Sequence, residues 1–362
     1  MIPNHPLFAP ARAFCARFGL RVPILLAPMA GVPAPGLSAA VASAGGMGAC
    51  GALLMKPDAI RAWAADQRAR SNGAFQLNLW IPDPAPARDP VHEARLRAFL
   101  GGFGPAVAET AGDAAPPDFE AQCEALLDSG PAVVSSIMGL FPAPYVARLK
   151  AKGIAWFANA TTVAEARAAR DAGADAIVAQ GAEAGGHRGA FDASRAEAEA
   201  IGLFALLPAI LGAVDVPVIA AGGIADARGM SAAFAMGASA VQIGTGFLRT
   251  PEAAIPSAWA DALGRAAPED TRLSRAFSGR PGRSLATEYV RAATAPDAPE
   301  PAPYPVQRGL TQAMRDKAAK ANDVSRMQAW AGQSAALAKA APAADLVGAL
   351  WAGTCARFGL PV

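Results

Sequence analysis

The chain has 362 residues, of which 53% are hydrophobic and 17% charged, with a formal net charge of +2. That is enough apolar material for one large α/β barrel or two medium domains, and the mixed charges provide no basic stripe for nucleic acid. Four scattered cysteines without a Cys-x-x-Cys pair argue against a zinc site or a disulfide framework, and no run of about 18 apolar residues marks a membrane span.

The first twenty residues lack the basic start and apolar core of a signal peptide, so a cytoplasmic protein is expected. "VPILLAP" (22–28) reads as a buried strand and "PGLSAAVASAGG" as the helix after it. "MGACGAL" (47–53) precedes a helix over 57–70, with Pro57 and Asp58 in its first turn. "FQLNLW" (75–80) is the third strand. A Pro- and charge-rich insertion, 81–117, follows and holds a helix at "HEARLRAFLGG". Helix 118–129 leads into "AVVSSI" (132–137), and helix 142–153 into "IAWFAN" (154–159). Helix 161–173, with a Thr cap, leads into "DAIVAQ" (175–180). Beyond a Gly-rich loop, helix 201–213 precedes "VPVIAA" (216–221), and helix 225–237 precedes "AVQIGT" (240–245).

These are eight short strands without clear alternation, as expected for strands buried on both faces. Helices separate nearly all of them. Eight alternating units predict a (β/α)8 TIM barrel over 1–250, with the insertion after the third strand. An open doubly wound sheet would want its phosphate glycines after the first strand, where Ala27–Pro28–Met29 fits poorly. Residues 251–362 are expected to form an extension on the barrel. In it 250–266 is helical, 271–290 basic and irregular, 295–306 a Pro-rich linker, and 308–358 helical again, wrapping over the mouth. "CARFGL" occurs at 15–20 and again at 355–360, with no function assigned to the recurrence.

Three segments carry chemistry. Gly222 and Gly223 follow the seventh strand directly; Gly244 and Thr245 end the eighth. Glycines let backbone N–H groups approach a ligand, and barrels frequently bind phosphate on these two loops. The third segment is "AQGAEAGGHRGAF" (179–191). Gln180 ends the sixth strand, Gly185 and Gly186 would let a planar ligand pack on backbone, and His187 would face it. An unperturbed imidazole, near pKa 6.5, suits proton transfer. Met29 and Asn78, at strand ends, are either core residues or a cofactor lining. Glu183, Arg188, Asp192, Lys150, His5 and His92 read as surface residues. No metal-ligand cluster is present in the sequence.

Taken together, "APMAG", "QLNLW", "ATTVAEAR", "AQGAEAGGHRG", "PVIAAGGIADARGM", "VQIGTGFLRTPEA" and "WAGQSA" resemble the nitronate monooxygenases, in the order of their larger class I members. The resemblance covers residues 22 to about 340. It implies a barrel with non-covalent FMN that oxidises alkyl nitronates, such as propionate 3-nitronate, with O2 to carbonyl compounds and nitrite, a detoxification. It implies FMN contacts from Asn78, Gln180, Gly185, Gly223 and Gln242–Ile243–Gly244–Thr245. Met29, Gly186 and Gly222 would flank the cofactor, and Gln333 would come from the C-terminal cover. His187 matches the family's base toward neutral nitroalkanes. The implied partners are a nitronate or nitroalkane and O2, with no nucleic acid and no membrane; oligomeric state is left open, a homodimer included. Two departures concern substrate choice: Ile137 stands for a pocket histidine, and Asn159 for a serine. An FMN-dependent enoyl-ACP reductase using NAD(P)H, and a non-catalytic phosphate-binding barrel, are the alternative readings.

Overall fold

In the computed structural model, which describes residues 2–32 and 34–361, the apolar runs pair side by side as parallel strands. They are β1 (Ile24–Leu26), β2 (Gly48–Gly51), β3 (Phe75–Trp80), β4 (Val133–Ile137), β5 (Ala155–Ala160) and β6 (Ala176–Gln180). After a two-residue strand in the Gly-rich loop, β7 (Gly186–His187), come β8 (Val218–Ala221) and β9 (Ala240–Ile243). The order β1-β9-β8-β6-β5-β4-β3-β2 makes one eight-stranded sheet. It closes on itself where Leu25 bridges Met47 and the Met47 N–H donates to the Ile24 carbonyl at 3.0 Å. Helices separate the strands, so the fold is the predicted (β/α)8 barrel.

Strand residues alternate between two cores. Leu25, Val133, Phe157, Val178 and Ile219 fill the barrel interior, and Phe14 and Phe18 of helix Ala9–Phe18 pack on Phe157. The helix thereby plugs the end where the strands begin. Ile24, Val134, Ile177 and Val241 face the outer helices. Residues on both faces are apolar, which is why no period of two is visible in the sequence. Two of the outer helices start where a side chain caps them: Thr162 accepts from the Glu165 N–H at 3.2 Å and Asp226 from Gly229 at 2.9 Å.

The repeated "CARFGL" is the same helix terminator used twice. Gly19 and Gly359 both take φ +66°, the left-handed conformation glycine adopts without strain. In each copy the leucine N–H (Leu20, Leu360) donates to the cysteine carbonyl (Cys15, Cys355), closing the last turn.

Two expectations for 251–362 change. The stretch 271–290 is ordered: β10 (Thr271–Ser274) and β11 (Gly282–Leu285) pair antiparallel, and β11 pairs with β7. Two of its basic residues hid this, because Arg280 is used on Asp83 of the insertion and Arg283 on the Ala182 carbonyl of the Gly-rich loop. Helix Ala343–Arg357 does not cover the mouth. It packs between helices Pro35–Ser43 and Ala227–Ala235, the place of the barrel's eighth outer helix. The chain between β9 and that helix forms the cover. There a small second core joins Leu96 and Leu100 of the insertion to Phe277, Tyr289 and Leu310.

Candidate active site

The strands end on one side in a cavity of about 320 Å³, within the range of small-molecule sites. Asn78, Gln180 and Gln242 line it from the barrel, with Met29 from the loop after β1. Gly185, Gly186 and His187 line it from the Gly-rich loop, and Gly222, Gly223, Gly244 and Thr245 from the last two strand ends. Ile243 is buried in the outer core instead, and Gln333 lies behind the Gly-rich loop, its N–H donating to the Glu183 carbonyl at 2.9 Å. Among the described residues the cavity lining contains no Asp, Glu or Lys, and its only fixed cations are Arg308 and Arg315.

At the β8 and β9 ends the backbone is open. Gly222 and Gly223 hold φ +104° and +69°. The N–H groups of Gly223, Gly244 and Thr245 find no acceptor among the described residues. Such a cradle of unpaired donors suits an anion. The side chains nearby are oriented from below. Gln76 donates from Nε2 to the Gln242 Oε1 at 3.1 Å, and Asn78 Nδ2 donates to Ser135 Oγ at 3.0 Å.

Gln180 is committed to the loop that follows it. Its Nε2 donates to the His187 carbonyl (3.1 Å), and its Oε1 accepts from the Gly189 N–H (2.8 Å). Gly185 is small because of the cover. A Cβ there would lie 2.5 Å from the Gly332 nitrogen and 2.7 Å from the Ala331 carbonyl carbon. Gly186, at φ +76° with open space beside it, starts β7. Two residues read as surface are not. Arg188 is 3% exposed and donates to the carbonyls of Gln180, Thr161 and Glu199, and Glu183 accepts from the Leu203 N–H at the start of helix Leu203–Leu211. Glu183 therefore caps a helix and does not orient His187.

The partner of His187 is Ser278, whose Oγ lies 2.7 Å from Nε2. The same hydroxyl is 3.2 Å from the Arg280 carbonyl. With the hydroxyl hydrogen given to that carbonyl, Nε2 carries the imidazole proton and Nδ1 keeps its lone pair. The ring stands edgewise between Trp80 (4.5 Å) and Trp330 (4.7 Å). Burial, then the charges of Arg280, Arg308 and Arg315, push its pKa down to about 3, so it is neutral at ordinary pH rather than poised near 6.5. The unfolded chain binds this proton below about 6.5 and the native state does not until about 3. Stability is therefore expected to fall as pH drops through that window, and His187→Asn, which cannot titrate, should lessen the fall. Urea midpoints of both proteins at pH 7 and pH 5 measure it; an identical loss in both would show that His187 does not contribute.

A family model described as Nitronate monooxygenase matches residues 13–353. The chain belongs to the nitronate monooxygenase family. It is 38% identical over 349 residues to a nitronate monooxygenase of Paraburkholderia phytofirmans, covering 94% of each chain. It is 39% identical to one of Pseudomonas aeruginosa, covering 92% of this chain and 96% of that one. Among solved structures, nitroalkane oxidase from Streptomyces ansochromogenes superimposes with a TM-score of 0.87 at 39% identity, over 96% of this chain and 100% of that one. FabK from Thermotoga maritima gives 0.73 at 26% identity, over 96% and 97%. The nitronate monooxygenase motifs in this sequence fall on the barrel side of the cavity, except "WAGQSA" (330–335), which puts Trp330 and Gly332 on the other wall. On that wall Ser278, Tyr304, Arg308 and Arg315 were not singled out from the sequence. Those residues lie in the stretch read as irregular, linker and helix, where no motif marks them. Ile137 and Asn159, the two departures, both line the cavity.

Proposed function

We propose that this chain oxidises alkyl nitronates, such as propionate 3-nitronate, with O2 to a carbonyl compound and nitrite, using non-covalently bound FMN. The observation that carries the reading is a mouth cavity free of carboxylates, with an unpaired N–H cradle on one side and a neutral imidazole on another. The residues present fit the cofactor. A phosphate would take the free N–H groups of Gly223, Gly244 and Thr245, and the glycine pair 222–223 lets it approach backbone without a Cβ in the way. Asn78, Gln180, Gln242 and Met29 would meet the ring system, with Gly185 and Gly186 alongside. Ile243 and Gln333 would act through backbone or by holding the loop. Bound FMN would supply the redox chemistry.

The protein's own part is binding, orientation and one proton. A nitronate is already an anion, and the positive lining accepts it without an acidic residue to oppose it. A neutral nitroalkane must first lose its α-proton, and Nδ1 of His187, with Nε2 held by Ser278, is the lone pair left to take it. Burial and the neighbouring arginines lower the imidazole's pKa, which keeps it neutral and able to accept that proton. Trp80 and Trp330 hold the imidazole between them edgewise, which fixes its orientation in the cavity.

The test is a visible spectrum of the purified protein, identification of any flavin released on heating, and O2 uptake and nitrite release with propionate 3-nitronate. FMN with matched O2 uptake and nitrite supports the reading. Flavin-loaded protein inert toward nitronates, but oxidising NADH with a crotonyl thioester, would replace it with the enoyl reductase.

A further inference from the structure

Three side-chain amides line the cavity from the barrel, and each keeps a different end free. Gln180 has none, since Nε2 and Oε1 are both spent on the Gly-rich loop. Asn78 gives Nδ2 to the Ser135 carbonyl at 3.1 Å as well as to the hydroxyl, so Oδ1 is its unpaired end among the described residues. Gln242 accepts on Oε1 from Gln76, so Nε2 is its unpaired end among them.

Gln76 sets that last choice without lining the cavity itself. Phe75, Leu77 and Leu79 of β3 face the outer helices, so Gln76 and Asn78 point into the barrel. Gln76 is 0% exposed, and its Nε2 donates to the Leu26 carbonyl at 3.2 Å and to Gln242 Oε1 at 3.1 Å. A backbone carbonyl can only accept. Nε2, not Oε1, must therefore face Leu26, and the second hydrogen on that nitrogen must be met at Gln242 by oxygen. One carbonyl of β1 thus orients two amides in turn and leaves the Gln242 NH2 for the cavity. The arrangement has a cost, because Gln76 Oε1 is buried without a partner among the described residues. An apolar side chain there would join Leu25 and Val133 in the barrel interior without that penalty. Stability alone does not account for a glutamine at this place.

We propose that Gln76 is a positioning residue that holds the Gln242 amide with its NH2 toward the cofactor. The barrel then offers the ring system a fixed donor from Gln242 and a fixed acceptor from Asn78. This rests on the FMN reading above. A donor held against a ring that gains electrons binds the reduced form more tightly than the oxidised form and raises its potential.

The test is the midpoint potential of bound FMN in wild type, Gln76→Met, Gln242→Met and the double variant, with FMN uptake by the stripped protein followed through flavin fluorescence. Gln76→Met should lower the potential by about 30 mV, a tenfold loss of preference for reduced over oxidised flavin in a two-electron couple. Gln242→Met should do the same, and the double variant no more than either, because one residue acts through the other. Gln76→Asn, polar but too short to hold both partners, should match Gln76→Met and stands in for it if the methionine variant does not fold. An unchanged potential in folded, FMN-loaded Gln76 variants overturns the proposal, as do shifts that add in the double variant. Gln76 would then only tie β3 to β1 and β9 across the seam where the barrel closes. No FMN uptake by wild type overturns the cofactor reading and this one with it. Wild type that takes FMN and shows the shift, but leaves nitronates untouched, defeats the nitronate reading alone.

Discussion

His187→Asn is expected to cut turnover of neutral nitroalkanes by about 10²–10⁴-fold while nitronate turnover falls no more than about tenfold, because only the former needs a base. Asparagine is near the imidazole in size and keeps a polar edge toward Ser278, so the packing between Trp80 and Trp330 should survive. The comparison is made on one preparation, with nitroethane and its pre-formed nitronate as the two substrates. Equal losses would mean that His187 only shapes the cavity. Ser278 adds a second reading of the same site. Its hydroxyl sits 2.7 Å from Nε2 and, when it donates to the Arg280 carbonyl, leaves Nδ1 as the base, so the base leans on a residue between β10 and β11 rather than on its own loop.

Asp83→Asn is expected to destabilise the protein by about 3 kcal/mol, because it strands a buried guanidinium without its charge partner. Arg280 is 2% exposed and gives Nε and Nη2 to the two oxygens of Asp83 at 2.7 and 2.6 Å, with Nη1 on the Ala190 carbonyl at 3.1 Å. This pair ties the insertion after β3 to the strand pair that carries Ser278. Urea unfolding should show a lower midpoint at unchanged slope. A shift below about 0.5 kcal/mol, the size of an ordinary surface substitution, would mean the pair is already solvated and the insertion is held by its apolar contacts alone.

How much of this was legible differs by region. The barrel could be read because each strand is a short apolar run bounded by turn residues, and some helices carry a start signal: Pro57 in the first turn, Thr162 and Asp226 as caps. "FQLNLW" matched β3 residue for residue for that reason. The glycines after β8 were legible because a left-handed backbone leaves a compositional mark. The cover was not. β10 is "TRLS" and β11 "GRSL", with no apolar alternation: only Leu285 joins an apolar cluster, and β11 is held by pairing with β7 and the Trp330 segment. Arg188 read as surface charge by residue type, and Arg280 fell in a stretch read only as basic and irregular, but their donors meet carbonyls and Asp83 brought from distant sequence. Such partners leave no local signal. The shift of His187 is equally non-local, since three arginines far along the chain contribute to it.

The place of helix Ala343–Arg357 has a consequence for how the molecule is assembled. Its apolar side, with Leu346, Val347 and Trp351, fills a groove whose two walls, Pro35–Ser43 and Ala227–Ala235, are made much earlier in synthesis. Until the intervening cover has been translated, that groove stands open and greasy beside a ring of strands already complete. Sealing it requires joining the first and last outer helices across nearly the whole chain, a contact of the kind that slows folding. The nascent chain thus carries a sticky seam on its outside, and the step that buries it also closes the loop within which the cover must settle.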